Sequence, residues 1–506
     1  MKRKLMSLVL CAAMMLGSAV LLASCAEGGK TNTTNTPGVQ KPEDKEFLPK
    51  FPDGLTFADL PEEERILTVN YTEGGNGSFT RRSLKADELD ESDVDVATKA
   101  RDARLLEQLG LELDITPTEG GIANMEAEIG NSLATGSKDW DILAAYQFYG
   151  INIAKKGYLR NLNNLASEGA DYIALDAPYW GKAFNDNMSY KGAYYWITGD
   201  IALRYIGGMY CTYVNSAIYT SKLEGTHGSI YEIAKNGKWT IDLMTTMASA
   251  CYDDNGSTPG EKDAEDTFGF GWEACDMIDG IALGCGAQFA YKDPSTGDIS
   301  IVFANKHNYD ISTKLNNLAV GKEYSHQFAD NDNQNIMPAF AQGTVAFTVN
   351  KLFQSEVYLE EMDDFYIIPA PKFDETQETY ITSIHDGVTI FGITNCTSKV
   401  RQAAAALEFL CAYSHQLVAP EYYEGALKGR YTRDPQAAEM IDLIHSNVTT
   451  DFAIAWGSSI NDIGWIFREC KLITNKTVTR DRTKWNTSIE SLSLKLDELA
   501  AANAAE

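Results

Sequence analysis

The chain has 506 residues, of which 44% are hydrophobic and 10% aromatic, and its formal net charge is −28. This composition is typical of a globular protein with a large core and excludes a disordered chain. The negative charge argues against binding to nucleic acid or flat docking on an anionic bilayer, because both need a cationic surface. It favours a neutral or cationic ligand.

The first 25 residues have the pattern of an export signal. Lys2, Arg3 and Lys4 precede the apolar run Leu5–Leu22, which ends in small residues before Cys25. The pattern resembles the bacterial lipoprotein signal, in which the cysteine after the cut is acylated with chains such as palmitate. The resemblance implies cleavage after residue 24 and a lipid anchor at the extracellular face of the cytoplasmic membrane. The alternative is an uncleaved transmembrane anchor, since the run approaches the ~20 residues that a span needs.

Residues 25–60 are predicted to be a flexible tether behind the lipid anchor. Their first part is rich in Gly, Pro, Thr and Asn, which cannot build a core. The folded region is expected to begin near Pro61.

Strands and helices alternate after the tether. Residues 65–71 have the pattern of a buried strand, and helical spacing of apolar side chains predicts a helix over 95–109 that stops at Gly110. A strand at 111–116, a helix at 123–132 and a strand at 139–145 follow. This alternation predicts an α/β fold with a mostly parallel sheet. Ligands of such sheets bind beyond the carboxyl ends of strands, which indicates residues 71–75 and 146–148.

The second half of the chain contains further strands and amphipathic helices. The predicted strands are 209–215, 267–272 and 365–369, with another inside 338–348 after a short helix. The predicted helices are 241–251, 403–412 and a final one at 485–503.

Several short blocks, taken in order, resemble the extracellular solute-binding proteins of ABC importers, in particular the family 1 group that binds sugars and oligosaccharides. The blocks are Asp139–Ile142 with Ala154–Leu162, Lys191–Trp196 with Tyr213–Asn215, Trp239–Thr240, Thr267–Phe270, Phe340–Phe347 and Ile368–Lys372. The chain departs from the family pattern in its greater length and in the altered acidic run near residues 253–256. The resemblance therefore bears on fold and role more than on ligand identity.

The resemblance implies a two-lobe, periplasmic-binding-protein-like fold of type II, with mostly parallel sheets and hinge crossovers. Lobe 1 is expected to contain 61–200 and 385–428, and lobe 2 to contain 201–384 and 429–506. Crossovers are expected at 198–202, at 383–389 and around 425–435. The resemblance implies as partners a small solute, namely a sugar or oligosaccharide, and the subunits of an ABC permease. The protein itself is expected to be a monomer that contacts the membrane only through its lipid and does not bind nucleic acid.

A sugar site needs aromatic faces for the CH surfaces of the ring and polar side chains for its hydroxyls. Residues of both kinds stand at the predicted strand ends and crossovers. The candidate ligand-binding residues are Tyr71, Glu73, Tyr146, Gln147, Asp200, Trp272, Glu273, Asn350, Phe353, His385, Asp386, Trp465 and Arg468.

No catalytic motif is present, so the chain is interpreted as a binding protein and not as an enzyme. No cofactor or metal is predicted, although the acidic loop 253–266 leaves calcium binding open; Thr258 stands where a calcium loop of the EF-hand type needs Gly. Seven cysteines follow Cys25, an odd number; Cys411 is predicted to be a core thiol, and a Cys275–Cys285 pair is left open. Two other functions remain as alternatives: a surface glycan hydrolase, or a binding protein for a non-sugar solute or a sensor.

Overall fold

The computed structural model describes residues 47–72, 77–86, 92–137, 140–256, 260–263, 265–329, 335–362, 364–427, 429 and 434–505. Residues 40–506 form one compact unit. Glu73 and Cys25, named above as a candidate ligand contact and as the acylated cysteine, lie outside the described residues.

The strands build two mixed sheets and a hairpin. They are β1 (Ile66–Thr72), β2 (Glu112–Thr118), β3 (Ile142–Tyr146), β4 (Tyr210–Asn215), β5 (Phe268–Trp272), β6 (Ala290–Lys292), β7 (Ile299–Ile301), β8 (Ser325–Gln327), β9 (Val345–Lys351), β10 (Phe365–Pro369) and β11 (Thr389–Ile393). The first sheet has the order β11-β3-β1-β2 and the second β10-β4-β9-β5-β8. Strand β1 runs parallel to β2 and β3, and β5 runs parallel to β8 and β9, whereas β11, β4 and β10 pair antiparallel with their neighbours.

Helices cover both sheets. They are α1 (Glu62–Arg65), α2 (Gly77–Leu84), α3 (Asp93–Leu109), α4 (Gly121–Thr135), α5 (Gln147–Gly150), α6 (Lys182–Met188), α7 (Leu203–Gly207), α8 (Ser216–Lys222), α9 (Glu224–His227), α10 (Ile230–Lys235), α11 (Ile241–Cys251), α12 (Met277–Gly284), α13 (Lys306–Ala319), α14 (Ile336–Ala341), α15 (Gln354–Tyr358), α16 (Val400–Tyr413), α17 (Ala419–Ala426), α18 (Pro435–His445), α19 (Phe452–Ala455) and α20 (Asn475–Ala505). A π-helical turn, Ser414–Val418, joins α16 to α17, and 3₁₀ helices occupy Ile151–Lys156, Leu162–Glu168, Gly457–Ser459 and Ile463–Phe467.

Local signals account for the best-predicted helices. Helix α3 begins where the Ser92 side chain accepts a hydrogen bond from the backbone N–H of Asp95, and ends at Gly110, whose φ is 70°. Helix α11 has the predicted bounds, with Thr240 as its N-cap. The final helix starts ten residues earlier than predicted, at Asn475 instead of residue 485.

Residues 47–60 are part of the folded region, so the predicted end of the tether at residue 60 is wrong. Phe57 is buried, and its backbone N–H donates to the carbonyl of Leu109 at 2.8 Å. Phe51 packs edge-on against Tyr172 at 5.9 Å. These aromatic side chains lie outside the Gly-, Pro- and Thr-rich part of the segment, and burying them adds to the core.

Two of the predicted crossovers run side by side between the sheets. Residues 198–202 lead through α7 to β4, and residues 383–389 lead back to β11. The backbone N–H of Tyr210 donates to the Ser383 carbonyl at 3.0 Å, and that of His385 donates to the Gly208 carbonyl at 2.9 Å. A third connection joins α17, which packs on α3, to α18, which packs on β10. Paired strands of this kind can flex while holding two lobes together.

The seven cysteines after Cys25 are free thiols, so the pair left open between Cys275 and Cys285 is not formed. Cys411 is buried, as predicted. In the part of the chain that the structure describes, no helix has the length and apolar character needed to cross a membrane. Within the same residues, no group of three or more His, Cys, Asp or Glu side chains is placed to hold a metal ion.

Candidate functional site

A pocket that is partly open to solvent is lined by residues next to both sheets and by residues of the C-terminal segment. Phe148 follows β3 in α5, and Asp386 lies in the crossover before β11, which pairs with β3. Tyr210 begins β4, while Asp276 and Asp279 stand at the start of α12. The remaining lining residues are Leu283, Ile384, Ile454, Gly457, Asp462, Gly464, Trp465 and Arg468.

Two parallel aromatic rings form one wall. The rings of Phe148 and Trp465 are stacked, with centroids 5.9 Å apart and an angle of 13° between their planes. Trp465 is 46% exposed, although it is one of the largest apolar side chains. Tyr149 packs edge-on against Phe148, with ring centroids 4.7 Å apart. An exposed indole held parallel to a second ring offers a flat apolar surface to a ligand.

A half-buried carboxylate, Asp276, also lines the pocket and is held by several donors. Its Oδ2 accepts hydrogen bonds from the Tyr210 hydroxyl at 2.6 Å and from the Lys351 ammonium at 2.8 Å. The Nε2 of His385 stands 3.4 Å from the same oxygen. Burial opposes ionisation, but Lys351 and His385 hold the pKa of Asp276 well below its usual range. Asp276 is therefore a permanent negative charge at neutral pH.

The tautomer of His385 follows from its contacts. The backbone N–H of Gly387 donates to Nδ1 at 2.9 Å, which leaves the proton on Nε2, facing Asp276 and Asp386. Burial lowers the pKa of His385, although both carboxylates oppose that shift. The imidazole is thus neutral at neutral pH and acts as a hydrogen-bond donor toward the pocket.

Arg468 joins the acidic and aromatic sides of the pocket. Its Nε and Nη2 donate to Oδ2 of Asp279 at 3.0 and 2.6 Å. The same guanidinium lies over the Trp465 ring, 4.7 Å from its centroid. Burial raises the pKa of Asp279, and Arg468 opposes this shift. Burial lowers the pKa of Arg468, but the contact with Asp279 outweighs it and raises that pKa. The pair fixes the position of Trp465 through a cation–π contact.

Five of the predicted ligand-binding residues come together here. Asp386, Trp465 and Arg468 line the pocket. Tyr146 and His385 lie directly behind it: the Tyr146 hydroxyl donates to Oδ1 of Asp386 at 3.3 Å, and Nε2 of His385 is 3.6 Å from the same oxygen.

The structure places other candidates in the core. Tyr71 is buried in β1, and Trp272 is 3% exposed at the end of β5, which has strands on both sides. The Gln147 side chain is turned inward and donates to the carbonyl of Ala455 at 2.7 Å. Glu273 and Asn350 are also buried. The sequence did not reveal which of these side chains face inward. When both faces of a sheet are covered, apolar and polar residues do not alternate along its strands, so the pattern does not indicate which side faces the core.

Two further candidates, Phe353 and Asp200, do not line the pocket and make contacts elsewhere. The Phe353 ring lies under the Arg204 guanidinium, whose Cζ is 4.1 Å from the ring centroid. Asp200 is 1% exposed in the first crossover, where its carboxylate contacts His415 through Oδ2 and the Nε2 of His445 through Oδ1, the latter at 2.8 Å. This His–Asp–His cluster joins the crossover to the π-helical turn and to the end of α18. It ties segments of the two lobes together.

Sequence reasoning missed several lining residues. Phe148 lay within the strand-end region indicated above, but it was not chosen as a ligand contact. Tyr210, Asp276 and Asp279 carried no motif, and Asp462 stands in a loop whose φ of 52° is left-handed. A strand end followed by an acidic helix start, as at 272–279, is the one signal that could have indicated Asp276 and Asp279.

Comparison with known proteins rests on structure. No protein-family model matches the chain, and the search of curated sequences found no match. UgpB from Mycobacterium tuberculosis, solved with glycerophosphocholine, aligns with a TM-score of 0.52 and 14% identity over 85% of this chain and 98% of that one. A cyclo/maltodextrin-binding protein complexed with maltotetraose aligns with a TM-score of 0.51 and 11% identity over 86% and 97%.

A third structure is the galacto-N-biose/lacto-N-biose I-binding protein of an ABC transporter from Bifidobacterium longum, solved with lacto-N-biose. It aligns with a TM-score of 0.50 and 12% identity over 88% of this chain and 99% of the other. This chain has the fold of an ABC-transporter solute-binding protein. The two-lobe α/β fold predicted from the sequence is therefore confirmed, and the pocket is lined by segments that adjoin the two sheets.

Proposed function

We propose that this protein is a lipid-anchored solute-binding protein that captures a sugar or oligosaccharide and delivers it to an ABC permease. The observation that carries the proposal is the pocket itself. It combines a stacked aromatic wall with several ordered hydrogen-bonding side chains, and its residues come from segments that adjoin both sheets.

Each wall of the pocket suits one part of a sugar. The parallel rings of Phe148 and Trp465 provide apolar faces for the CH surfaces of a pyranose. The carboxylates of Asp276 and Asp386 accept hydrogen bonds from hydroxyls, and Arg468 offers donor groups. A ligand that touches both sets of residues would hold the two lobes together.

Lobe movement follows from the paired crossovers. They connect the sheets through short backbone segments that can change φ and ψ, so ligand binding between the lobes would favour the closed arrangement. Proteins of this fold include ones solved with maltotetraose and lacto-N-biose, which supports a carbohydrate ligand for this chain. A permease would recognise the closed form.

The direct test is ligand-dependent thermal unfolding of residues 40–506, the compact unit, against a panel of mono- and oligosaccharides. A ligand that binds only the folded state stabilises it by about 2.7 kcal/mol at 100-fold excess over its dissociation constant. We expect one class of sugar to raise the melting temperature. Loss of this shift in Trp465→Ala, with retention in Tyr291→Ala, would locate binding, because Tyr291 is 50% exposed but outside the pocket.

Two results would contradict the proposal. Absence of any shift across the panel would remove the carbohydrate assignment. Release of reducing ends from a glycan by the purified protein would replace it with the glycan hydrolase that the sequence left as an alternative.

The anchor is a separate part of the proposal, motivated by Cys25 and the signal pattern before it. We expect the full chain produced in a bacterial host to incorporate labelled palmitate and to fractionate with the cytoplasmic membrane. Cys25→Ala should lose the label, whereas Cys11→Ala should keep it. Two or more acyl chains are needed for stable attachment, so intact-mass measurement should show more than one. An unlabelled wild-type chain would contradict the lipid anchor without affecting the sugar site.

A further inference from the structure

We propose that Asp200, His415 and His445 form a pH-sensitive clasp across the hinge, which holds the two sheets in the present arrangement when His445 is protonated and thereby strengthens ligand binding at a distance. The effect of the clasp on the shape of the protein stands on its own geometry, whereas its effect on affinity rests on the proposed function. None of the three side chains lines the pocket.

Segments that connect the two halves of the molecule supply the clasp. Asp200 lies in the first crossover, before α7. His415 lies in the π-helical turn between α16 and α17, which packs on α3 beside the first sheet. His445 ends α18, which packs on β10 of the second sheet. Since the third connection joins α17 to α18, the clasp ties the first crossover to elements at both ends of that connection. A rotation of one sheet against the other therefore has to change the distances within the clasp.

A single buried carboxylate holds both imidazoles. Nε2 of His445 lies 2.8 Å from Oδ1 of Asp200, and Nδ1 of His415 contacts Oδ2. The Asp200 side chain is 1% exposed, and among the described residues no lysine or arginine forms an ion pair with it. A buried anion is costly unless a cation compensates it, so the two histidines are the groups whose charge makes this arrangement favourable.

Other ionisable and aromatic side chains surround the clasp. Tyr205 of α7 and Tyr423 of α17 pack edge-to-face against His445, with ring centroids 6.0 and 6.5 Å from that of the imidazole. Burial raises the pKa of Tyr205 and of Cys411 on α16 well above their ordinary values, so both stay neutral. The remaining neighbours are Phe47, whose ring lies 5.1 Å from that of His415, Arg101 of α3, which donates to the Ser414 hydroxyl, Glu439 of α18, which pairs with Lys235 of α10, and Asp442 of α18.

Protonation of His445 stabilises the present arrangement. Burial opposes its charged form, but Asp200 and Asp442 outweigh burial and raise the pKa of His445 above its ordinary value. The two histidines hold the pKa of Asp200 well below its usual range, so this carboxylate stays ionised. A group whose pKa is raised in one arrangement favours that arrangement at low pH, and the effect is lost as pH rises through the raised pKa. The clasp is therefore strong at pH 6.0 and weak at pH 8.5.

The pocket depends on the same arrangement. Tyr210, which lines the pocket, follows the first crossover through α7, and the other lining residues come from segments that adjoin both sheets. A ligand and the proton on His445 therefore stabilise one common state, and each must strengthen the binding of the other. The expected result is tighter ligand binding at low pH and a higher pKa of His445 in the presence of ligand.

The first experiment needs no ligand. Small-angle X-ray scattering of residues 40–506 at pH 6.0 and 8.5 measures the radius of gyration. We expect the wild type to be more compact at pH 6.0, and His445→Gln to give the larger radius at both pH values. Asp200→Asn removes the buried anion and keeps the shape of the side chain, so it should also lose the pH dependence, and it replaces His445→Gln if that variant does not fold. His227→Gln, at the end of α9 and outside the clasp, should retain the wild-type change.

The second experiment is calorimetric binding, at the same two pH values, of the sugar that gives the largest thermal shift. Burial raises the pKa of Asp279 to about 7, so the pocket adds a pH effect of its own, which wild type and His445→Gln share. The clasp is measured by the difference between the two proteins. We expect the ratio of affinities at pH 6.0 and 8.5 to be about threefold larger in the wild type, which corresponds to a shift of about half a pKa unit. The imidazole signal of His445 in NMR spectra should titrate at higher pH when the sugar is bound.

The results separate the clasp from the proposed function. A wild-type radius that does not change with pH, or a change that persists in both Asp200→Asn and His445→Gln, overturns the clasp whether or not a sugar binds. Equal affinity ratios in wild type and His445→Gln overturn its effect on binding and leave the proposed function standing. If no sugar binds, the proposed function fails, and the scattering still decides whether the clasp controls the shape.

Discussion

Replacement of His445 by glutamine should weaken the folded state in a pH-dependent way. In the wild type, Nε2 of His445 donates to Oδ1 of Asp200 at 2.8 Å, and the Asp200 carboxylate is 1% exposed. Glutamine can keep a donor of similar reach but cannot carry the charge. A hydrogen bond to a charged group contributes about 1.5–3 kcal/mol. Because His445 is 20% exposed and Asp200 retains His415, we expect a loss near the lower limit, about 1.5 kcal/mol at pH 5.5.

The sign of the pH effect follows from the pKa shifts. Burial opposes the charged form of His445, but Asp200 raises the pKa of His445 above its ordinary value of 6.5. Between these two pKa values the folded state binds more protons than the unfolded state, so stability falls as pH rises. The contribution of His445 is complete below pH 6.5 and is lost as pH passes the folded-state pKa. The two histidines hold the pKa of Asp200 well below its usual range, so Asp200 does not titrate in this window.

The assay is urea unfolding of residues 40–506 at pH 5.5, 7.0 and 9.0, followed by tryptophan fluorescence and circular dichroism. The difference between wild type and His445→Gln should be largest at pH 5.5 and smallest at pH 9.0. His227→Gln is the control, since the His227 side chain makes no hydrogen bond within the described residues and should show no such trend. A difference that is equal at pH 5.5 and 9.0 would refute the assigned ion pair.

Arg468→Met should lower the free energy of unfolding by about 2–3 kcal/mol. This is less than the 3–5 kcal/mol lost when a fully buried pair is broken, because both partners are 19% exposed. In urea unfolding, the double variant Arg468→Met with Asp279→Asn should recover most of the lost stability. If the double variant is no better than the single one, the loss has another cause. Gly269→Ala would place its Cβ 1.8 Å from a backbone oxygen and should cost at least about 3 kcal/mol, whereas Gly225→Ala, with open space around it, should stay within about 1 kcal/mol. Equal melting temperatures for these two variants would contradict the packing at β5. Native residues 40–506 should react with a thiol reagent at Cys275 at most, and slowly because burial raises the pKa of its thiol, while all seven cysteines react after unfolding without prior reduction. A requirement for reductant would reveal a disulfide.

The elements that were well predicted are those with local signals. Helix α11 and strand β10 have the expected bounds because capping residues and apolar periodicity act over a few positions. The tether was misjudged because Phe51 and Phe57 lie beyond its low-complexity part and find partners far along the chain. The partner of Phe57 is Leu109, and no local pattern links the two.

The residues of the pocket were likewise predicted only in part. Trp465 and Asp386 were expected at the cleft, and they do line the pocket. Trp272 was expected there as well, but β5 lies inside its sheet and buries the indole. Residue type and strand position are therefore insufficient to tell a ligand-facing aromatic from a core aromatic.

By itself the sequence determined the α/β class, seven of the eleven strands, several of the longer helices, two of the crossovers and some of the residues that line the pocket. These follow from spacing, capping and composition, which act over short stretches. Only the tertiary structure decided which side chains meet. The contacts between Asp279 and Arg468 and between Asp200 and His445 span 189 and 245 residues, and the stacking of Phe148 on Trp465 also depends on distant segments. Such pairs form because folding buries charges and rings that must then find complementary partners, and that requirement is set by the whole core.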